Sequence, residues 1–244
     1  MSFLAVVAAI AGAGWAMTRA GTTPAAPSPP VSRPAPAGAV TDAGRGRDRR
    51  ARQLAARRRL EAAIVWRRSR AVGEPWAGTL VRGVRLPREG VHFFTWDPVL
   101  RRSPSRSWRR YGTDRLVRTL LAVIDAYAAA HPHAPRVGIG DLSRPHGGDF
   151  GPEFGGLGHV SHQNGLDADV YYPRLDRRER APRRVDQIDH RLAQDLVDRF
   201  ARAGAQIVFV GPNTGLHGPA GIVRVLVHHD DHLHVRLPGA DGLP

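Results

Sequence analysis

Gly158-His159-Val160-Ser161-His162-Gln163-Asn164-Gly165-Leu166-Asp167-Ala168-Asp169 is the stretch on which the reading of this chain turns. Asp167 and Asp169 alternate with Leu166, Ala168 and Val170, the period of a strand with one acidic and one apolar face. Gly165 supplies a bend ahead of that strand, and His162 sits in the loop before it. A second cluster, His228-His229-Asp230-Asp231-His232-Leu233-His234, lies towards the end of the sequence. It too runs into an alternating segment, with His232, His234 and Arg236 on one face and Leu233 and Val235 on the other. The two clusters hold six of the twelve histidines, so their convergence is the first question to ask of the fold.

If the two strands pair antiparallel, His234 comes to Asp169 and His162. Catalytic zinc commonly takes three protein ligands from His, Asp and Glu and leaves one position for water. The spacing predicts His162, Asp169 and His234 as that set, with Asp167 supporting them from behind. His232, one pleat from His234, would stand beside the water without binding the metal. A base in that position is what metal-assisted hydrolysis needs, because zinc lowers the pKa of bound water to about 7. Asp230 and Asp231 are placed to orient the imidazoles. Either motif alone is weak, since a lone His-x-His on a strand is more often a surface or core feature. The combination points to an enzyme.

Outward from these clusters the composition is globular from about residue 71. Thr79–Leu86 and Val91–Trp96 alternate loosely and read as strands. Thr113 is a plausible N-cap for a helix to about Ala130, with Leu116, Val117, Leu120, Leu121, Ile124 and Tyr127 on one face. His131-Pro132 ends it, and His131 and His133 read as surface residues. Arg136–Gly140 is a short strand ending at Asp141. The Gly/Pro-rich stretch 142–158 follows, of a length that is usually functional or disordered. It would form one wall of a groove, and Arg144 in it could hold a substrate carboxylate. A second helix spans about Asp189–Ala203, stopped by Gly204. Gln206–Val210, Val223–Val227 and His232–Leu237 are strands.

The N-terminal third has a different character. Residues 3–17 are uncharged and mostly apolar, short for a membrane span but fitting the core of an export signal, although no Lys or Arg precedes them. Residues 1–20 therefore read as a signal peptide or a retained membrane anchor. Residues 21–44 form a Pro/Ala-rich linker. Residues 45–70 carry eleven arginines and read as a basic arm or helix, either simply solvated or attached to an anionic surface. The net charge is +14, and all 36 basic residues are arginine. The absence of lysine reads as base composition, so the charge matters here more than the residue identity. That charge favours anionic partners such as a wall polymer or membrane surface. Nucleic acid is disfavoured, because the basic segment lacks interleaved aromatics and any known nucleic-acid motif. There is no cysteine, which removes disulfides and thiolate metal sites.

Ser161-His162-Gln163-x-Gly165-Leu166-Asp167-x-Asp169 together with His229-x-x-His232-x-His234 resembles the penicillin-insensitive murein endopeptidases. They form part of a metallopeptidase group that includes lysostaphin-type enzymes, D-Ala-D-Ala peptidases and the hedgehog domain. Gly140-Asp141-Leu142 and Gly147-Gly148 fit the pattern too, and Leu80-Val81-x-Gly83-Val84-x-Leu86-Pro87 more loosely. The resemblance covers roughly residues 74–238. It implies an α+β fold, an antiparallel sheet with flanking helices and a single zinc site, in a metallopeptidase domain of residues 71–240. It implies ligands His162, Asp169 and His234, with His232 and His229 as catalytic histidines. His159 would line the groove or touch metal, and Ser161, Asp167 and Asp231 would support the site or the substrate. The implied function is an exported cell-envelope D,D-endopeptidase that hydrolyses D-Ala–diaminopimelate cross-links of peptidoglycan. A D,D- or L,D-carboxypeptidase of the same group and a non-catalytic metal-containing wall-binding module are the alternatives. A second metal on Asp186, Asp189 and His190 is suggested by the family, with His190 more readily a surface residue. Known periplasmic relatives carry cysteines, and this chain departs from them there.

Overall fold

The protein is described here as a computed structural model covering residues 42–152 and 160–239. The export segment 1–20, most of the linker 21–44, and His159 lie outside the described residues. The elements are α1 (Asp42–Ala62), β1 (Arg70–Glu74), β2 (Ala77–Val81), β3 (Val84–Arg85), β4 (Phe93–Thr95), β5 (Tyr111–Gly112), α2 (Asp114–Ala130), β6 (Val137–Ile139), β7 (Asp167–Tyr171), α3 (His190–Arg202), β8 (Ile207–Val210), β9 (Val223–Val225) and β10 (His232–Arg236). The architecture is mixed α+β. No helix among the described residues is long and apolar enough to cross a membrane.

The central sheet has six strands in the order β4-β6-β7-β10-β8-β9. Its middle is antiparallel, but β4 pairs with β6 and β8 with β9 in parallel. The sheet is therefore mixed, where a purely antiparallel one was expected. The reason lies in the connections. Parallel neighbours need a crossover, and α2 lies in the connection between β4 and β6, while residues 211–222 link β8 to β9. The run 79–86 also breaks in two, because Arg82 turns at φ 53° between β2 and β3.

Helices α2 and α3 are amphipathic and bury one face each. Leu116, Val117, Leu120 and Ile124 of α2 join Leu192, Leu196, Val197 and Phe200 of α3, together with Ala168, Val170, Leu233 and Val235 of the sheet, in one core. The Thr113 hydroxyl accepts from Leu116 N–H at the start of α2, a cap worth about 1 kcal/mol. Six side chains of that helix are buried, each stabilising by roughly 1.5–3 kcal/mol, so packing outweighs the cap in fixing the helix. His131 is not the simple surface residue expected. Its Nε2 lies 2.9 Å from Asp195 Oδ2 and links the end of α2 to α3. His133 is exposed.

The Arg-rich segment is helical in α1, and its C-terminal half is tied to the rest of the chain. Arg57 Nε donates to Glu89 at 3.1 Å, Glu61 accepts from Val91 N–H at 2.8 Å, and Ile64 enters the core.

Candidate metal centre

Strands β7 and β10 pair with His234 opposite Asp169, His232 opposite Tyr171 and Arg236 opposite Asp167. The apolar partners on these strands fill the core, so the acidic and imidazole side chains share the other face of the sheet. Asp169 Oδ1 lies 3.0 Å from His234 Nδ1 and 3.3 Å from His162 Nε2. One ligand atom from each of these three buried residues lies within 4.8 Å of the others, the one such cluster among the described residues.

His162 reaches this point through an unusual backbone. Its φ is 70°, a left-handed conformation uncommon for a side chain with a Cβ. Several contacts hold it there. His162 N–H donates to Asp167 Oδ2 at 3.0 Å. Gln163 N–H donates to Pro75 O at 2.9 Å and Asn164 Nδ2 to Gly73 O at 3.0 Å, so the β1–β2 hairpin clamps the loop. Gly147, at φ 72°, permits the next loop to close on the same segment, since a Cβ there would run into the Gln163 carbonyl oxygen. Gly148 N–H donates to that oxygen at 2.9 Å.

Asp167 gathers three donors: His162 N–H, His234 Nε2 at 3.0 Å and Arg236 Nε at 2.7 Å. Burial would raise its carboxyl, but the charges of His234 and Arg236 outweigh burial and hold it far below the usual carboxylate range. Asp169 behaves alike: burial opposes ionisation, and His162 and His232 win, keeping it well below its ordinary value. Burial disfavours a charged His234, yet Asp167 and Asp169 push its pKa up to about 9. With Nε2 engaged by Asp167, His234 presents Nδ1 to the same point as His162 Nε2 and Asp169 Oδ1. Two imidazole nitrogens and one carboxylate oxygen suit a catalytic divalent zinc, and a carboxylate on the far nitrogen is the support such a ligand needs. The donor set fits the metal that its pattern suggests.

His232 stands next to the cluster, with Nδ1 2.6 Å from Asp231 Oδ1 and Nε2 3.6 Å from Asp169 Oδ1. Burial lowers its pKa, but Asp169 and then Asp231 more than compensate, so the net shift is upward. The ring of His229 lies 4.8 Å from that of His232, and its Nδ1 is 2.8 Å from Val227 O. Burial and the charge of His232 hold His229 down to about 4. Asp230 does not orient an imidazole as expected. It accepts from Asn213 N–H at 3.0 Å and from Asn213 Nδ2 at 2.7 Å, because the adjacent turn supplies nearer donors. Ser161 is half-buried at the edge of the site. Arg144 Nη1 donates to Asp149 O at 2.8 Å within its own loop. Asp189 caps α3, Asp186 pairs with Arg184 and His190 is exposed, and these three are not among the residues that cluster as possible metal ligands among the described residues.

Several contacts beside the cluster escaped sequence reasoning. Asp169 N–H donates to Asp141 O at 2.9 Å. The Asp141 carboxyl is fully buried and paired with the buried Arg109. Burial pushes it up to about 6, with Arg109 opposing and Asp169 adding to the rise. Arg109 lies 4.6 Å from the Trp108 ring, and Phe150 bridges Trp108 and His162 at 6.3 and 6.0 Å between ring centroids. No local pattern announces these contacts, because all but the Arg109–Trp108 stack join residues well apart in the chain. Tyr171 and Asp231, both in contact with His232, also line a cleft of ≈660 Å³ together with Arg101, Arg180, Arg183 and Arg184.

Fold and site together define a mixed α+β domain with a buried His/Asp cluster able to hold a metal. The family of penicillin-insensitive murein endopeptidases matches residues 71–206, more than half of the chain, and the chain belongs to that family. No curated protein matches it. The matched segment contains His162 and Asp169 and stops short of His229, His232 and His234. Family membership makes the protein a peptidase of murein endopeptidase type that acts on peptidoglycan in the cell envelope.

Proposed function

We propose that the protein is a zinc-dependent D,D-endopeptidase that hydrolyses D-Ala–diaminopimelate cross-links. The observation that carries this reading is the β7–β10 register, which sets His234 against Asp169 while His162 folds over both. His162, Asp169 and His234 would hold the ion. When bound, zinc would activate a water and polarise the scissile carbonyl. Asp231 accepts the Nδ1 proton of His232, leaving His232 Nε2 to take a proton on the side of the cluster and return it to the leaving amine. His229 donates its Nδ1 proton to Val227 O and turns Nε2 to the site as an acceptor. Asp167 fixes His234 and, through the His162 N–H, the loop that carries the other imidazole. A purely structural metal would have no use for His232 and His229, which argues against a wall-binding module.

Residues 71–240 form the metallopeptidase domain, preceded by a signal or anchor in 1–20, a linker in 21–44 and a basic segment in 45–70 that faces an anionic polymer or membrane surface. Ser161 and Arg144 would support the site or the substrate; the assignment of His159 to groove or metal falls outside the described residues.

The test is digestion of purified cross-linked muropeptides with and without chelator, with products identified by mass. Monomers should form from dimers only when zinc is present, and His162→Ala should abolish cleavage. Release of terminal D-Ala from intact dimers would make the enzyme a carboxypeptidase instead. Cleavage by the His162→Ala protein at the parent rate would overturn the ligand assignment.

A further inference from the structure

A second cleft, of ≈630 Å³, lies where the chain leaving α1 passes β3 and β5. Arg67, Arg82, Arg85, Arg88 and Arg110 line it, and no Asp or Glu does. Among the described residues, Arg67, Arg82 and Arg85 form no ion pair. Arg88 has only Glu89, at 4.0 Å, and Glu89 is already shared by Arg57 at 3.1 Å and Arg136 at 3.0 Å. Arg110 is the informative member, at 8% exposure. Its Nη1 donates to Leu86 O at 2.7 Å, while its Nε is buried with no hydrogen-bond partner among the described residues. Burial first, and then the charge of Arg85, hold its pKa down to about 10, with Arg88 adding to the effect and Tyr111 opposing it.

Surface arginines alone would reflect the composition of this chain. A buried guanidinium that lines a cleft with other cations and no carboxylate does not follow from composition, because burying charge without a counter-charge is costly. We propose that this cleft binds a phosphate group, as a monoester or a diester, and so anchors the peptidase to a phosphate-bearing polymer or headgroup. Phosphate fits better than carboxylate on two counts. A phosphate spreads its charge over two free oxygens as a diester and three as a monoester, the latter carrying about −1.5 to −2, enough for several guanidinium groups at once. Its oxygens also match the planar donor fork of arginine in paired hydrogen bonds. The cleft shares no residue with the metal cluster, so the proposal stands apart from the choice of cross-link or metal. It also places anion recognition on the domain itself, beyond the basic helix α1.

The full chain should be titrated calorimetrically with inorganic phosphate and glycerol phosphate at constant ionic strength, with succinate as the carboxylate control. Saturable binding of one phosphate is expected, tighter than succinate. The exposed pair R82Q/R85Q should weaken it by about tenfold or more, while muropeptide cleavage and zinc content stay as in the parent. Arg110→Gln should do the same, and R82Q/R85Q keeps the test decisive if that buried change prevents folding. Sedimentation with phosphatidylglycerol and phosphatidylcholine vesicles separates the sources. Retention on the former that R82Q/R85Q reduces assigns a lipid headgroup, and phosphate binding without vesicle retention excludes one. Phosphate binding no tighter than succinate, or unchanged in R82Q/R85Q, would overturn the proposal.

Discussion

Asp167→Asn is the most revealing single change, because it removes one charge and no volume. Asp167 Oδ1 accepts from His234 Nε2 at 3.0 Å and Arg236 Nε at 2.7 Å, and Oδ2 accepts from His162 N–H at 3.0 Å. An asparagine has one acceptor oxygen. Turned towards His234 and Arg236, it sets its NH₂ against the His162 N–H. Turned the other way, it faces two donors. At best one buried donor is left unmet, at about 1–3 kcal/mol. Arg236 and His234 also lose their counter-charge, which brings the total to about 3–5 kcal/mol in the metal-free protein. Zinc affinity should fall separately by about 10–100-fold, the usual effect of removing the carboxylate behind a ligand imidazole. Urea unfolding of chelator-treated protein reads the first quantity, and zinc competition against a chromophoric chelator reads the second. A variant as stable as the parent and binding zinc equally tightly would refute the role given to Asp167.

Three further outcomes are expected. His232→Ala should lower the cleavage rate by about 10²–10⁴-fold while zinc stoichiometry, measured by metal analysis, stays at the parent value. Asp97 is fully buried and accepts from Arg106 Nε at 2.6 Å. Burial raises its carboxyl, but the Arg106 side chain, the Leu100 and Arg106 N–H groups and the charge of Arg109 together outweigh burial, so its pKa in the fold is depressed. A depressed carboxyl contributes stability that is complete above its unfolded pKa of about 3.9 and is lost as pH falls through the folded value. Asp97→Asn should therefore cost about 3 kcal/mol at neutral pH and flatten the loss of stability below about pH 4, as read by denaturation at a series of pH values. Thr113→Ala removes the hydroxyl that accepts from Leu116 N–H at 3.1 Å, and should cost about 1 kcal/mol in the same unfolding assay, without touching activity.

The two alternating segments were legible because a period of two is a local property. Leu166, Ala168 and Val170 against Asp167 and Asp169 fix which side chains share a face, and His232-x-His234 does the same. Helices α2 and α3 were legible because their 3–4 apolar spacing is local too, with Thr113 as the expected cap of α2; that Asp189 caps α3 is a finding of the structure. What escaped depends on contacts between distant parts of the chain. The parallel outer pairs of the sheet follow from crossovers that no strand pattern reveals. The Arg109–Asp141 pair is invisible in sequence because neither residue looks apolar, and only the fold puts both out of reach of water. Asp230 and Asp231 look equivalent on paper, but Asn213 claims one and His232 keeps the other. The left-handed turn at His162 could not be foreseen from Gly165 alone. It needs the β1–β2 hairpin, whose Gly73 carbonyl is bound by Asn164 across 91 positions of sequence.

The strand β10 comes last in chain order among the described elements, yet it lies between β7 and β8 in the sheet. A chain emerging from its N-terminus would carry His162 and Asp169 long before the strand that brings His234. Until that strand inserts, β7 and β8 face a gap and each offers an unpaired edge, the kind of edge that invites wrong partners. The insertion is a non-local step and therefore a slow one. Completion of the sheet and the arrival of His234 beside Asp169 and His162 are thus one event. Truncation before His232 should leave a protein that neither unfolds cooperatively nor retains zinc, and residues 71–206 expressed alone should aggregate.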